Sequence, residues 1–268
     1  MEFGGKVAVI TGGASGIGRA CALAFARQGA DIVLADRNES RMEAVVEEVT
    51  RLGRRGIGLA TDVSDDGSVQ SLASDAIAAM GTVDLVMNNA GVVVGGDPHE
   101  VSIEDWEWIV EVNLLGPVRG VRAFLPHFLA RGSGYFVNTA SFAGLVAHNP
   151  LTIPYDMTKH GVVGLSAGLA LYCRPRGIGV SVLCPGYVET NLSENTRITG
   201  VDTTADGPSQ VPDRVTTADE VAGRVVDAVR EERFLILSQD AHLGIVQRRW
   251  QDIDRHIQKQ IEHIARAR

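Results

Sequence analysis

A β-branched run at 6–11 (KVAVIT) passes directly into Thr11-Gly12-Gly13-Ala14-Ser15-Gly16-Ile17-Gly18, and a helical pattern then runs from Ile17 to about Gln28. This junction restricts the fold more than any other stretch. A buried strand that turns into a helix within a few small residues aims the unpaired amides of the first helical turn, and the positive end of the helix dipole, across the strand's C-terminal end. That geometry is an anion site, and glycines let a phosphate reach the backbone. The spacing is G-x-x-x-G-x-G rather than the commoner G-x-G-x-x-G. An ordinary glycine turn is the alternative, and the flanking strand and helix argue against it.

The pattern of that first unit repeats. Strands are expected at 31–35, 56–61, 84–88, 135–140, 179–184 and 234–238, and helices at 39–52, 67–80, 103–130, from Tyr155 to about Cys173, and 218–230. Pro117 implies a kink or break in the long helical stretch, which would free backbone carbonyls near Asn113. Strands alternating with helices of this length predict an α/β fold: a Rossmann-type, doubly wound parallel sheet with helices on both faces. The chain's 268 residues, 45% of them hydrophobic, suit a single domain over 1–239. Positions 191–217 lose the apolar period and read as a lid over the site. In 240–268, Val246, Trp250, Ile253, Ile257, Ile261 and Ile264 recur at helical spacing. They predict one extra C-terminal amphipathic helix, packed on its own subunit or on a partner.

Ligands of such sheets bind beyond the strand C-termini, and the polar candidates fall there. Asp36 ends the second strand, placed to hold a ribose 2′-hydroxyl and to repel a 2′-phosphate. NAD is therefore expected over NADP, with Arg37 the residue that could accept a phosphate. A turn carboxylate capping a helix is the plainer reading of Asp36. Asp62-Val63 end the third strand, and Asn89-Ala90-Gly91 follow the fourth. Tyr155 and Lys159 lie one helical turn apart and can address one small volume. A phenol titrates near ~10, and lowering it by ~3 units takes about 4 kcal/mol. A cation at ~4 Å supplies roughly that at an effective dielectric near 20, so Lys159 is expected to lower the Tyr155 pKa and make an acid–base pair. Alone the motif is weak, because Tyr-x-x-x-Lys is common on solvated helices.

Composition excludes several classes. The formal charge of −8 argues against a nucleic-acid surface. No apolar run approaches the ~20 residues of a membrane span. The first residues run into a strand without the basic and apolar stretches of a signal peptide. Cys21, Cys173 and Cys184 lie in apolar settings and read as reduced core residues of a cytoplasmic protein. No metal site is expected.

Taken in order, these motifs resemble the short-chain dehydrogenase/reductase family from about residue 6 to 190. Thr11–Gly18 is similar to the family's T-G-x-x-x-G-x-G, Asp62 to its adenine-contacting acid, and Asn89-Ala90-Gly91 to its N-A-G. Asn113, Ser141, Tyr155 and Lys159 match its catalytic tetrad, and Pro185-Gly186 with Val188 and Thr190 its nicotinamide segment. The resemblance implies cofactor contacts from Gly12, Ser15, Gly16, Ile17 and Gly18, with Tyr155 as base, Ser141 bonding the substrate oxygen, Lys159 holding the nicotinamide ribose, and Asn113 holding a proton-relay water. Two features depart from it. Ser141 and Tyr155 are 14 positions apart, about one residue more than is usual in the family, and the family's glycine-rich ending is replaced by FLILS and the long tail. A homodimer thus becomes as plausible as a homotetramer.

The pocket candidates Val93, Val94, Ala143, His148, Asn149 and Tyr187, together with Ser141 and Tyr155, carry no cation suited to an acidic substrate. The expectation is a neutral, fairly hydrophobic secondary alcohol or ketone. Two alternatives stay open: an NADPH-dependent carbonyl reductase using Arg37, and a non-catalytic dinucleotide-binding protein, against which the intact tetrad argues.

Overall fold

The computed structural model describes residues 1–147, 149–200 and 215–266. In chain order the elements are β1 (Val7–Thr11), α1 (Gly16–Arg27), β2 (Asp31–Asp36), α2 (Glu39–Arg51), β3 (Gly56–Ala60), α3 (Asp66–Met80), β4 (Leu85–Asn88), β5 (Val93–Gly96), α4 (Ile103–Val110), α5 (Gly116–Arg131), β6 (Gly134–Thr139), α6 (Ile153–Cys173), β7 (Ile178–Cys184), β8 (Thr196–Thr199), α7 (Ala218–Arg230), β9 (Leu235–Leu237), α8 (Ala241–Gln251) and α9 (Ile253–Arg266). Seven strands form one parallel sheet in the order β3-β2-β1-β4-β6-β7-β9. The order reverses between β1 and β4, so a crevice opens at their C-terminal ends.

The apolar run of each inner strand is buried on both faces, as parallel strands require. On one face, Ile10, Ile32 and Leu34 pack against Cys21 and Phe25 of α1, Met42 and Val45 of α2, and Val225 and Val229 of α7. On the other, Val9, Val86 and Phe136 meet Leu72 of α3, Phe124 and Phe128 of α5, and Leu169 and Cys173 of α6. Side chains set several helix starts. Asn38 accepts from the Arg41 amide, Asp65 from the Gly67 and Ser68 amides, and Thr217 forms a reciprocal capping box with Glu220. α1 is different: Ser15 stands at its N-cap position but makes no side-chain cap bond.

Three expectations change. The stretch 103–130 is not one kinked α-helix, because a π-helical turn, Glu111–Leu115, separates α4 from α5. Pro117 has no N–H to offer the carbonyl of Asn113 four residues back, so the α ladder cannot continue there. The amide of Gly116 and the guanidinium of Arg119 both donate to the Glu111 carbonyl instead. Second, part of the expected lid is strand: β8 pairs in parallel with β5 to make a second, two-stranded sheet. Arg197 of β8 pairs with Asp105 at 2.7 Å and stacks 3.6 Å over Trp108, which anchors this sheet to α4. Positions 201–214 of that segment lie outside the described residues. Third, the tail is two helices. Asp252 takes an extended conformation between them. α8 buries Val246 on its own domain, whereas Ile253, Ile257 and Ile261 of α9 are exposed.

Candidate active site

A cleft of about 770 Å³ runs along the C-terminal ends of the strands. Gly12, Ser15, Gly16 and Ile17 line it after β1, Asp36 and Arg37 after β2, and Asp62 and Val63 after β3. Asn89, Ala90 and Gly91 follow β4, and Pro185, Gly186, Val188 and Thr190 follow β7. Ser141, Tyr155 and Lys159 complete the wall at the β6 end. Gly12 has φ +64, and a Cβ there would fall 2.9 Å from the Ala90 Cα, so the turn passes against the segment after β4 only because it is glycine. Gly18, expected to touch a cofactor, does not line the cleft. Its missing Cβ would stand 2.1 Å from the Gly12 carbonyl oxygen and 2.7 Å from Asn89 Nδ2. Gly18 thus lets α1 close down on the turn.

The cleft fits a dinucleotide on the structure's own terms. The uncapped amides at the start of α1 open onto it, as a phosphate requires. At one end, Asp36 Oδ2 accepts from the Ala14 amide at 3.1 Å and Oδ1 from the Asn38 amide at 3.0 Å, which fixes the carboxylate on the cleft wall. Burial works to raise the Asp62 carboxyl, but the Ser64 hydroxyl and amide, with Arg37 and Arg119 nearby, hold it below its usual value. Arg37 stands 4.0 Å from Asp62, and Arg41 pairs with Glu194 at 2.8 Å across the cleft.

At the other end, Tyr155 and Ser141 both line the cleft, and the Ser141 hydroxyl works to lower the Tyr155 phenol. The Ala143 amide donates to Ser141 Oγ at 3.1 Å, so the buried Ala143 positions the serine rather than lining the cleft. Lys159 is buried, donates to the Thr139 carbonyl at 3.1 Å, and lies 5.5 Å from the centre of the Tyr155 ring. The electrostatics differ from the expectation. Burial pushes the Tyr155 phenol up to about 12, and the Ser141 hydroxyl only partly opposes it. Burial also lowers Lys159 to about 8. In this geometry Lys159 does not depress the phenol, because its charge is itself desolvated and directed at a carbonyl.

Asn113 lies within the π turn. Its amide brackets one residue, donating to the Val92 carbonyl and accepting from the Val92 amide, each at 2.8 Å. A Cβ on Gly91 would sit 3.3 Å from Asn113 Oδ1 and 3.4 Å from Lys159 Nζ, so Gly91 marks where these two groups converge. Of the pocket candidates, Val94 is buried in β5, Tyr187 is exposed beside the cleft but outside its lining, and His148 lies outside the described residues.

Two groups were not singled out from sequence. Cys184 is buried at the end of β7, where burial pushes its thiol up to about 12 and the Ser141 backbone and Lys159 work to lower it. Asp156 is buried beside Tyr155, with the Thr152 hydroxyl donating to it at 3.0 Å. Burial raises its carboxyl to about 7, against the Thr152 hydrogen bond, and its charge works to raise both Tyr155 and Tyr187. Adjacency to Tyr155 was its only sequence signal.

Fold and cleft together define a dinucleotide-dependent oxidoreductase. Residues 6–199 match the family described as short chain dehydrogenase. The chain aligns with a short-chain dehydrogenase/reductase structure from Burkholderia phymatum in complex with NAD, at TM-score 0.85 and 38% identity, covering 95% of this chain and 96% of that one. It is 35% identical to a cyclohexanol dehydrogenase of Acinetobacter sp. over 71% of this chain and 76% of the relative. It is 34% identical to a 1-deoxy-11-beta-hydroxypentalenate dehydrogenase of Streptomyces exfoliatus over 96% and 91%. The chain belongs to the short-chain dehydrogenase/reductase family, whose members act on CH–OH groups with a nicotinamide cofactor.

Asp156 makes a pH test of this environment. Its folded pKa of about 7 lies above the ordinary carboxylate range. The native state keeps a proton that the unfolded chain releases, so stability is greatest below that range and falls as pH rises through about 7. Asp156→Asn is expected to raise Tm by a few degrees at pH 8, at ~2–4 °C per kcal/mol for a chain of this size, and to leave it unchanged at pH 4. Calorimetry at the two pH values checks this; equal shifts at both would show that folding does not hold the proton.

Proposed function

We propose that the protein is an NAD-dependent dehydrogenase that interconverts a neutral, fairly hydrophobic secondary alcohol and its ketone, with Tyr155 as acid and base. The observation that carries this reading is the meeting of Tyr155, Ser141 and Lys159 at one end of a cleft whose other end presents the Asp36 carboxylate. Asp36 favours a ribose hydroxyl as donor and repels a 2′-phosphate. The guanidinium groups that could read a phosphate are already engaged, Arg37 near Asp62 and Arg41 with Glu194. The NAD complex of the Burkholderia relative agrees. So does the cyclohexanol dehydrogenase, since cyclohexanol is a neutral secondary alcohol.

The nicotinamide of the bound cofactor would take or supply the hydride. The chain's own residues handle the proton and the oxygen. Tyr155 exchanges a proton between its hydroxyl and the substrate oxygen. Ser141 donates a hydrogen bond to that oxygen where charge develops. Lys159, its ammonium held by the Thr139 carbonyl, would hold the nicotinamide ribose. Asn113 fixes the Val92 segment beneath them and borders the route by which a relay water would carry the proton outward.

The three buried thiols, Cys21, Cys173 and Cys184, are unpaired and suit a reducing cytoplasm; no helix among the described residues is long and apolar enough to cross a membrane. The exposed apolar face of α9 suits a second copy of the chain. Antiparallel pairing of two α9 helices about the Ile257–Ile261 stretch would cover these exposed isoleucines. The assembly is therefore a homodimer or a homotetramer containing that pair.

Tyr155→Phe is expected to lower NAD-linked alcohol turnover about 10²–10⁴-fold with NAD affinity retained; undiminished turnover would remove Tyr155 from the chemistry. Asp36→Ala is expected to weaken NAD roughly ten- to a hundredfold, as for a lost charge-assisted hydrogen bond, and to improve NADP relative to it. A preference for NADP in the unaltered protein would instead support the reductase reading through Arg37. The double variant Ile257→Glu, Ile261→Glu is expected to halve the mass measured by light scattering, and an unchanged mass would free α9 from assembly.

A further inference from the structure

α8 is part of the active-site frame rather than an appendage. Val246 and Ile245 pack with Ala140, Val146 and Cys184 around the ends of β6 and β7. At its first turn, the half-buried His242 stacks on Phe142, with ring centres 4.3 Å apart and planes 27° from parallel. The same imidazole fills the space beside Gly186: a Cβ there would fall 2.4 Å from His242 Cε1 and 3.1 Å from Nε2. Phe142 directly follows Ser141, and its amide donates to the Pro185 carbonyl at 2.7 Å. The Gly186 amide donates to Ser238 Oγ at 2.9 Å, just ahead of α8. Three segments thus close on one another, one carrying Ser141, one carrying Pro185 and Gly186, and one carrying Ser238 and His242.

We propose that His242 is a positioning residue for the reaction: its ring, pressed between Phe142 and Gly186, holds the Ser141 hydroxyl and the Pro185–Gly186 wall in register with each other. The proposal rests on the reading of that wall as the nicotinamide end of the cleft. Its physical basis is that catalytic hydrogen-bond donors act only when held within a fraction of an ångström of the reacting atom. Ser141 follows the last residues of β6, and Gly186 lies in an irregular segment after β7, so neither position is set by the sheet ladder. The flat contact of two rings, with a glycine beneath one of them, ties both to a helix of the domain. It also gives Gly186 a reason to be glycine that is separate from any ligand.

Two measurements on the full-length chain test this. The first is amide hydrogen exchange without ligand, which does not depend on turnover. His242→Ala is expected to raise exchange severalfold in 141–146 and 184–188 while leaving 6–27 unchanged; unaltered exchange in the first two stretches would overturn the proposal, and a rise everywhere would reduce the histidine to a general stability role and overturn it equally. The second is a double-mutant cycle with Gly186→Ala on NAD-linked alcohol oxidation. His242→Ala alone is expected to lower kcat about tenfold, in keeping with small misplacements at a reacting centre, with the KM for NAD little moved because Asp36 fixes the distant end. Gly186→Ala alone should lower it similarly, and should cost little more once the histidine is gone; strictly additive losses would overturn the proposal. A local rise in exchange in a protein that oxidises no alcohol would uphold the positioning role and refute the functional reading.

Discussion

The geometry of the site depends on the side-chain amide of Asn89. At the point where the strand order reverses, β1 and β4 are neighbours whose following segments diverge, and a crevice there has to be held open at a fixed width. Asn89 Nδ2 donates to the carbonyls of Thr11 and Gly12, its Oδ1 accepts from the Thr139 hydroxyl, and its own amide donates to Thr11 Oγ1. One residue thus joins the ends of β1, β4 and β6. The Thr139 carbonyl then receives Lys159. A continuous path of hydrogen bonds leads from the glycine turn that suits a phosphate to the ammonium beside Tyr155. A second layer below it, Asn88 to Asn138 to Ser166, is fully buried and ties the same strands to α6. Buried polar groups on this scale persist only when nearly every donor is met, and here they are met by one another.

That solution has an electrostatic consequence. The enclosure that fixes Tyr155, Asp156 and Lys159 also desolvates them, and in each case burial moves the group toward its neutral form. The simple argument of one cation lowering one phenol treats the site as a pair of charges in a uniform medium. In the folded protein desolvation outweighs the attraction of the cation, and the Ser141 hydroxyl is the group that opposes it. The phenol keeps its proton in a site of low polarity, with a neighbouring carboxylate whose own ionisation pushes against its release. Asp156 matters to Tyr155 through this field rather than through contact.

Much of the fold was legible because strong local signals coincide. The apolar strands, the glycine turn and the alternation of periods point to one parallel sheet, and they lie where the folded chain has them. Elements set by tertiary partners were not legible. Thr196–Thr199 has no apolar period and becomes a strand because β5 offers an edge. The π turn at Asn113 follows from Pro117, but only the break could be read, not its form. Gly18 sits inside the glycine motif yet serves helix packing, since a motif states which residues are small and not which of them faces the ligand. The acid at Asp156 carried no spacing or pattern to distinguish it from a solvated helix residue.

The tail shows why periodicity alone misled. Val246, Trp250, Ile253, Ile257 and Ile261 keep helical spacing across Asp252, so the sequence reads as one amphipathic helix. A single residue in extended conformation redirects the chain without disturbing the count. The two halves then meet different fates. α8 packs Val246 and Ile245 against the ends of β6 and β7, while Leu243 and Trp250 stay exposed. α9 contacts chiefly α8 and keeps its isoleucines outward. A helix with such a face gains little stability from its own residues in water and draws most of it from whatever packs against it. The break at Asp252 therefore places the exposed apolar face on the helix directly after the one that packs against the ends of β6 and β7.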